Sequence, residues 1–330
     1  MRNHFEKPLT GTIALVTGAT RGLGKGIAIG LAEAGATVYL TGRTVTATAE
    51  SVGSLDETAE AIAEAGEVAL PVQVDHSDDD QVRALFERIE SEQAGRLDLL
   101  VNNAYAGVSA LKAAYGKPFW ESEPDFWDAC NQVGLRSHYV ASVYAARLMV
   151  PRRRGLICTL SSWGGLSYIF GVPYGVGKAA CDRMAADMAV ELKKHQVTSL
   201  SVWPGIVGTE LMTQFAAEMG LGAISGGGAQ ADSTKANYNW ETPLLTGRVI
   251  AALAADPKVL RRTGQVQIVA ELAREYGVVD ADGHRPASLR SLRFVLPSAV
   301  PGLQPHADLV PDVELPWPFL LLGPLGSPKV

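Results

Sequence analysis

The sequence has little of what disulfide frameworks, metal sites and membrane spans require. Its 330 residues include three cysteines, Cys130, Cys158 and Cys181, and no Cys-x-x-Cys or His-x-x-x-His pair, so we predict neither disulfides nor a metal. No stretch reaches the roughly 18–20 uninterrupted apolar residues of a membrane-spanning helix. The first residues lack the apolar core of a secretory signal, so we expect a cytoplasmic protein.

Basic residues are also few. Lysine and arginine total 29 against 35 acidic residues, which gives a formal net charge of -6, and the densest basic cluster is the short run 152–154. A nucleic-acid backbone is bound by clusters of lysine and arginine, and this sequence contains none of sufficient length, so we predict no nucleic-acid partner. A content of 47% hydrophobic and 19% charged residues is typical of a globular protein with a substantial core.

What the sequence does contain is a regular alternation of short apolar runs and helical patterns. A strand is predicted at residues 12–17, followed by a glycine-rich turn and a helix that stops at Gly35. Ser54-Leu55-Asp56-Glu57 resembles a capping box that opens a second helix. Further strands are predicted at 36–40, 68–74, 97–101, 156–160, 199–202 and 265–269, with helices at 78–94, 125–150 and 243–255. This alternation predicts an α/β fold with a parallel sheet of about seven strands, covered on both faces.

Two segments fall outside the alternation. Residues 209–242 are predicted to be irregular and to form a substrate loop over a pocket, with a plain surface insertion as the alternative. From about Gly277 the sequence becomes proline-rich, which rules out a long helix. We therefore divide the chain into a main domain, residues 1–276, and a C-terminal extension, residues 277–330. The extension is predicted to pack on the domain or at a subunit interface, with weak peripheral membrane contact as an alternative.

The glycine-rich turn is Thr17-Gly18-Ala19-Thr20-Arg21-Gly22-Leu23-Gly24. Its glycines would let the backbone approach a pyrophosphate held by the amides of the helix N-terminus, and its place after the first strand favours a nucleotide site. Arg43 follows the second strand, where an acidic residue would bind a ribose 2′-hydroxyl, and Arg21 can reach the same region. Two guanidinium groups for one phosphate predict NADP(H) over NAD(H).

Tyr174 and Lys178 are four residues apart, which places them side by side on one helix face. An ammonium group beside a phenol favours the ionised phenol and so brings proton exchange within reach near neutral pH. Ser161 and Ser162 follow the fifth apolar run, and Ser162 stands twelve residues before the tyrosine. Taken alone, the pair could equally be a solvated lysine beside a packed tyrosine.

Together these motifs resemble those of the short-chain dehydrogenase/reductase family, over about residues 12–269. After the glycine-rich turn come, in the family's order, Asn102-Asn103-Ala104, then Ser162, Tyr174 and Lys178, then Pro204-Gly205. The resemblance implies a Rossmann-like, doubly wound fold. It also implies that residues 1–276 form an NADP(H)-binding catalytic domain, and that the protein is a homodimer or homotetramer.

The resemblance also implies roles for individual residues. Tyr174 would be the general acid in carbonyl reduction, Ser162 would hold the carbonyl oxygen, and Lys178 would bind the nicotinamide ribose. Asp75 would contact the adenine, Asn102 would support the cofactor ribose, and Ile206 with Thr209 would fix the nicotinamide amide. The full predicted cofactor-binding set is Gly18, Thr20, Arg21, Gly22, Leu23, Arg43, Asp75, Asn102, Tyr174, Lys178, Pro204, Gly205, Ile206 and Thr209.

The sequence departs from the family pattern at one position. Many members carry, in the helix before the serine strand, an asparagine that holds a relay water, and the corresponding position here is near Gly134. Asn131 lies about one helical turn away. Either Asn131 serves from a shifted place or the relay differs, so Asn131 is left out of the predicted catalytic set of Ser162, Tyr174 and Lys178.

The leading hypothesis is NADPH-dependent reduction of a lipophilic ketone or aldehyde, a steroid-like carbonyl being one example. Five aromatic residues could supply an apolar pocket wall, although core packing would also explain them: Tyr105, Tyr115, Phe119, Trp120 and Trp163. One alternative is reduction of 3-oxoacyl thioesters. The other is a sensor or scaffold that binds NADP(H) without turnover.

Overall fold

A seven-stranded parallel sheet forms the centre of the structure, a computed structural model that describes residues 7–49, 51–218 and 240–320. The described residues form nine strands, and all but β7 and β8 belong to this sheet. They are β1 (Ile13–Val16), β2 (Thr37–Gly42), β3 (Ala69–Gln73), β4 (Leu99–Asn102), β5 (Gly155–Leu160), β6 (Val197–Trp203), β7 (Ile206–Val207), β8 (Trp240–Glu241) and β9 (Val266–Ile268). The order across the sheet is β3-β2-β1-β4-β5-β6-β9, and every neighbouring pair is parallel. The predicted Rossmann-like α/β fold is therefore confirmed, with a topological switch point between β1 and β4.

Helices cover both faces of this sheet. They are α1 (Gly22–Glu33), α2 (Leu55–Glu64), α3 (Asp79–Glu92), α4 (Val108–Ala114), α5 (Asp125–Asn131), α6 (Ser137–Arg152), α7 (Val172–Leu192), α8 (Glu210–Glu218), α9 (Pro243–Ala255), α10 (Val269–Tyr276) and α11 (Leu292–Ala299). Among the described residues, none of the helices has both the length and the apolar composition that crossing a bilayer requires.

Strand β1 shows why the central strands are continuous apolar runs. Ala14 and Val16 pack in the core formed with α1 and α9, whereas Ile13 and Leu15 pack in the opposite core formed with α3 and α6. All four side chains are buried. Because a central strand is buried on both faces, it cannot alternate between apolar and polar residues.

Glycines allow helices α1 and α9 to pack closely. A Cβ added to Gly30 of α1 would lie 2.5 Å from the carbonyl carbon of Gly247 in α9, and one added to Gly26 would lie 2.3 Å from that of Pro243. The two backbones therefore touch, and larger residues at these positions would force the helices apart. This contact fixes α1, and with it the glycine-rich turn that precedes it.

Local sequence signals determined several helix starts. Ser54 and Glu57 form the predicted capping box, since each side chain accepts a hydrogen bond from the backbone amide of the other residue. Asp78 caps α3 in the same general way, because its carboxylate accepts from the amides of Asp80 and Gln81. These contacts satisfy amides that have no partner inside the helix.

The structure corrects two of the predicted elements. The helical region predicted at 125–150 is interrupted, because Val133 (φ -111°, ψ 102°) and Gly134 (φ 140°, ψ -22°) are not helical. The segment predicted to be irregular at 209–242 instead begins with helix α8 and ends in β8. Residues 219–239 of that segment lie outside the described residues.

Strands β7 and β8 form a separate parallel pair, in which Ile206 is opposite Trp240 and Val207 is opposite Glu241. The Glu241 carboxylate also accepts a hydrogen bond from the amide of Gly205. Glu241 is fully buried, and burial together with the nearby Asp280 raises the pKa of its carboxyl well above the usual value. The two strands thus bring residues 206–207 and 240–241 together beside Pro204-Gly205.

The C-terminal extension lies against the end of the sheet formed by β6 and β9. Leu289 is buried there, and the Trp317 ring meets the Trp203 ring at a centroid distance of 5.8 Å. Arg290 joins the extension to α10, because its guanidinium donates to Glu271 of that helix at 2.7 Å. It also donates to Glu314, within the extension, at 3.1 Å. These contacts place the described part of the extension on the main domain.

Candidate active site

A cavity of about 730 Å³ opens at the C-terminal ends of the parallel strands. The turn after β1, the ends of β2 and β4, the serines after β5 and the segment 204–212 after β6 all contribute to its lining. In a doubly wound sheet this edge, at the switch point, is where ligands bind. We refer to this cavity as the cleft.

Ser162, Tyr174 and Lys178 meet in the cleft. The Ser162 hydroxyl lies 2.9 Å from the Tyr174 hydroxyl. Lys178 follows Tyr174 by one turn of α7, and its Nζ donates to the carbonyl oxygen of Leu160 at 3.1 Å. The structure therefore brings two hydroxyl groups into hydrogen-bonding contact with an ammonium group one helical turn away.

Adjacent serines after β5 point in different directions. Ser161 is buried, and its hydroxyl donates to the carbonyl oxygen of Lys178 at 2.9 Å. The Ser162 hydroxyl faces Tyr174 and accepts from the amide of Gly164 at 3.1 Å. Gly164 is needed there, because a Cβ at this position would lie 2.5 Å from Cε1 of Tyr174. Of the two serines, it is therefore Ser162 whose hydroxyl contacts the tyrosine.

The glycine-rich turn has the geometry of an anion cradle. Gly18 (φ 72°) and Gly22 (φ 53°) adopt left-handed conformations that favour glycine. Helix α1 begins at Gly22, and the residue before it, Arg21, makes no side-chain cap. The amides of the first turn can therefore bind a pyrophosphate, so the residues present fit a dinucleotide.

Hydrogen bonds tie this turn to the end of β4. The Thr17 hydroxyl accepts from the amides of Asn103 at 2.9 Å and Ala104 at 3.0 Å. In return, the Asn103 side-chain amide donates to the carbonyl oxygens of Thr17 at 2.9 Å and Gly18 at 3.0 Å. The two strand ends on either side of the switch point are thereby held together.

Arg21 and Arg43 both line the cleft. Arg43 is exposed and faces Asp75. Hydrogen bonds from the amide and hydroxyl of Ser77 hold the pKa of the Asp75 carboxyl below its usual value, and the charge of Arg43 adds to this effect. Arg21 donates to the carbonyl oxygen of Val52 at 3.4 Å. We call the glycine-rich turn, Arg43, Asp75 and Asn103 the glycine-turn side of the cleft.

Asn102 is the predicted site residue that the structure places elsewhere. It is fully buried at the end of β4, and its side-chain amide donates to the Ser142 hydroxyl at 2.9 Å. The next residue, Asn103, lines the cleft instead. Successive strand residues point to opposite faces, so the side chains of Asn102 and Asn103 point in different directions. The other predicted site residues line the cleft: Gly18, Thr20, Arg21, Gly22, Leu23, Arg43, Asp75, Ser162, Tyr174, Lys178, Pro204, Gly205, Ile206 and Thr209.

The predicted aromatic wall is divided between two cavities. Tyr105 and Trp163 line the cleft, whereas Tyr115 and Phe119 line a neighbouring cavity of about 490 Å³. Trp120 lines neither of these two cavities and is 72% exposed. The neighbouring cavity is thus partly built from residues that the sequence pointed to.

Sequence reasoning missed two aromatic residues in the cleft. Phe170 lines both cavities, and its ring meets the Tyr174 ring at a centroid distance of 5.4 Å. Phe294 comes from the C-terminal extension, together with Leu289. No sequence signal linked the extension to the cleft. We call Trp163, Phe170, Leu289 and Phe294 the aromatic side of the cleft.

Two buried histidines near the cleft were also missed. His76 contacts the Thr41 hydroxyl at 2.8 Å, and burial lowers its pKa to about 4. His138 contacts the carbonyl oxygen of Ala104 at 3.1 Å, and burial, together with the charge of Lys178, lowers its pKa to about 3. Both rings are therefore neutral near pH 7.

Within the part of the chain that the structure describes, no three His, Cys, Asp or Glu side chains come together as a metal site would require.

Comparison with known proteins identifies the family. The family model for short chain dehydrogenases matches residues 12–220. The chain belongs to the short-chain dehydrogenase/reductase family. Two relatives named dehydrogenase/reductase SDR family member 1 are each 46% identical to it. The human protein is matched over 92% of this chain and 94% of its own length, and the mouse protein over 88% and 89%.

Solved structures of the family show the same fold. A metagenomic short-chain oxidoreductase, crystallised in complex with NADP, is 33% identical and superposes with a TM-score of 0.53. The match covers 60% of this chain and 83% of that protein. Family membership makes this protein an oxidoreductase of the nicotinamide-dependent type, and the cleft described above is its candidate active site.

Proposed function

We propose that the protein uses NADPH to reduce a lipophilic ketone or aldehyde to the alcohol. The observation that carries this proposal is the 2.9 Å contact between the Ser162 and Tyr174 hydroxyls in the cleft, with Lys178 one helical turn away. The cofactor, when bound, supplies the hydride that the carbonyl carbon receives. The residues of the chain have to hold the oxygen and deliver the proton.

The proposed roles follow from what each group can donate. The Tyr174 hydroxyl gives its proton to the carbonyl oxygen as negative charge develops there, and acts as the base in the reverse direction. The Ser162 hydroxyl donates to the same oxygen and stabilises that charge. Lys178 places a positive charge near the tyrosine oxygen, which favours the phenolate left after proton transfer.

Preference for NADP(H) rests on Arg21 and Arg43. Both line the glycine-turn side, and neither the turn nor the end of β2 supplies an acidic residue for a ribose 2′-hydroxyl. Guanidinium groups suit a phosphate at this position. The family member that was crystallised with NADP is consistent with this choice.

Preference for a lipophilic substrate rests on the aromatic side of the cleft. Trp163, Phe170, Leu289 and Phe294 present apolar surface next to the reacting hydroxyls. Phe170 also borders the neighbouring cavity, so an apolar substrate longer than the cleft has a second space to occupy. Apolar pockets with a few converging polar groups are typical of small-molecule sites.

A panel of ketones and aldehydes tests the proposal, with NADPH oxidation followed by absorbance. Tyr174→Phe should lower turnover by about 10²- to 10⁴-fold, because it removes the proton donor, while NADPH affinity changes by less than about twofold. Tyr139→Phe is the matched control, since Tyr139 is 57% exposed on α6 and does not line the cleft.

Two results would contradict the proposal. NADPH binding without reduction of any carbonyl would favour the sensor or scaffold. A clear preference for NADH would refute the assignment of the two arginines.

The family resemblance also leads us to propose a homodimer or homotetramer, and sedimentation of the purified protein would give the number of subunits.

A further inference from the structure

The Tyr105 ring lies beside both Tyr174 and Lys178. The Lys178 ammonium lies over the Tyr105 ring, 5.2 Å from its centroid. The Tyr174 ring meets the same ring nearly perpendicularly, at 83° and a centroid distance of 6.1 Å. An aromatic face attracts a cation, so the ring can hold the ammonium group in one place.

Glycines make room for this ring. A Cβ added at Gly134 would lie 2.5 Å from Cδ2 of Tyr105, and one added at Gly107 would lie 2.5 Å from the Tyr105 hydroxyl oxygen. Gly134 sits at φ 140°, in the break between α5 and α6. The carbonyl oxygen of Val133 at this break accepts from the amide of Ala106 at 3.2 Å. The break and the segment that carries Tyr105 therefore contact each other through both the ring and the backbone.

The Tyr105 hydroxyl does not explain the placement of the ring. Among the described residues, no hydrogen bond of ordinary geometry reaches its oxygen, although the Cys130 thiol lies beside it. Burial raises the pKa of this hydroxyl above its ordinary value, so it stays protonated. A thiol is a weak hydrogen-bonding group, so this contact offsets little of the cost of burying the hydroxyl. The part of Tyr105 that can act on the site is therefore its ring, which contacts the Lys178 ammonium.

Asn131 is buried at the end of α5, directly before the break. Its side-chain amide donates to the carbonyl oxygens of Trp127 at 3.1 Å and Pro173 at 3.3 Å. The contact with Pro173 fixes the start of α7 against α5, whereas the contact with Trp127 lies within α5. The Asn131 Oδ1 is buried and has no hydrogen-bond partner among the described residues. In addition, any side chain at position 134 would occupy the space of the Tyr105 ring. The ring and a relay asparagine at 134 therefore exclude each other in this fold.

We propose that Tyr105 is a positioning residue that holds the Lys178 ammonium through its ring face. The inference rests on the proposed function, because it assigns how Lys178 is kept next to Tyr174. It requires the aromatic ring and not the hydroxyl.

Two substitutions separate these requirements. Tyr105→Phe keeps the ring and removes the hydroxyl, so turnover should stay within about twofold of wild type. Tyr105→Leu keeps apolar volume and removes the ring face, so kcat per NADPH-binding site should fall about 2- to 30-fold while the carbonyl KM changes little. Because the phenolate is less well supported, the pH of half-maximal alcohol oxidation should move upward in Tyr105→Leu only.

Acylation of Lys178 in the protein without cofactor gives a readout independent of turnover. Mass spectrometry after limited treatment with acetic anhydride should show faster labelling of Lys178 in Tyr105→Leu than in wild type or Tyr105→Phe, because loss of the ring releases the ammonium group. A packing role alone would lower the free energy of unfolding without changing the pH profile or the labelling.

The two proposals fail in different ways. If Tyr174→Phe retains wild-type turnover, the proposed function is wrong. If Tyr174→Phe is inactive but Tyr105→Leu keeps the wild-type kcat, pH profile and labelling, only the inference about Tyr105 is overturned. If Tyr105→Phe is impaired as much as Tyr105→Leu, the hydroxyl rather than the ring is required, and the inference is again overturned.

Discussion

The glycine-turn side and the aromatic side of the cleft are held together by different interactions. On the glycine-turn side, buried polar groups join two strand ends, as the four bonds between Thr17, Gly18, Asn103 and Ala104 show. On the aromatic side and in the neighbouring cavity, rings meet edge to face, and Phe119 and Tyr168 are 63% and 58% exposed. On the glycine-turn side, breaking a hydrogen bond leaves a buried polar group without a partner, which lowers stability. On the aromatic side, the contacts are apolar, and one apolar side chain can replace another at a smaller loss of stability.

This contrast suits the two ligands that we propose. A dinucleotide is the same molecule in every turnover, so its side can be rigid and made largely of backbone groups. Carbonyl substrates differ between relatives, and side chains that contribute little to stability can change with them. Substitutions on the two sides should therefore differ in what they affect.

The largest effect on stability is expected from Thr17→Val. This change leaves the amides of Asn103 and Ala104 without their acceptor, so the free energy of unfolding should fall by about 2–5 kcal/mol in urea denaturation. Thr159→Val is the matched control, because the buried Thr159 hydroxyl has no hydrogen-bond partner among the described residues, and its loss should be neutral or stabilising. Equal effects of the two substitutions would show that the hydrogen bonds of Thr17 do not stabilise the glycine-turn side.

Arg43→Ala should give the next largest effect, on the same side of the cleft. Loss of a charge-assisted contact with the 2′-phosphate should weaken NADPH binding by about 10- to 100-fold in a fluorescence titration, and leave NADH binding nearly unchanged. Arg83→Ala serves as the control, because Arg83 is half-exposed on α3 and does not line the cleft. A parallel loss of NADH affinity would show that Arg43 contacts a part common to both cofactors.

The smallest effect is expected from Phe119→Ala, in the neighbouring cavity next to the aromatic side. Stability should change by less than about 0.5 kcal/mol, since the side chain is mostly exposed. In a series of aldehydes of increasing length, each methylene that wild type buries should raise kcat/KM by up to roughly fourfold, and this gain should diminish in the variant. Phe319→Ala, at another exposed phenylalanine, should keep the wild-type dependence on length. Length dependence that is equal in all three proteins would exclude the neighbouring cavity from substrate binding.

Local patterns were sufficient for much of the fold and for part of the candidate site. The strands were predictable because a strand buried on both faces has to be apolar throughout, as β1 is. The capping box at Ser54 and Glu57 and the pair Tyr174 and Lys178 were predictable because helix geometry alone brings their members together. The seven-stranded parallel sheet is thus implied by the sequence.

Other features depend on parts of the chain that meet only after folding. The break at Gly134 accommodates a ring from Tyr105, and no periodicity within the helical pattern records this. The choice between Asn102 and Asn103 depends on where β4 ends, which the sequence fixes only to within a residue or two. Phe294 reaches the cleft from the C-terminal extension, whose packing follows from contacts such as that of Trp317 with Trp203.

The pairing of β7 with β8 has a consequence for how new specificities can arise. Val207 and Glu241 keep the entry and exit of the intervening segment side by side, and the Glu241 carboxylate fastens that junction to Gly205. Because the ends are already closed, lengthening or exchanging the segment costs little additional loop entropy. The junction can therefore serve as a graft point, where a segment from a relative replaces the residues between Met212, which lines the cleft, and Trp240 while the reacting groups keep their positions.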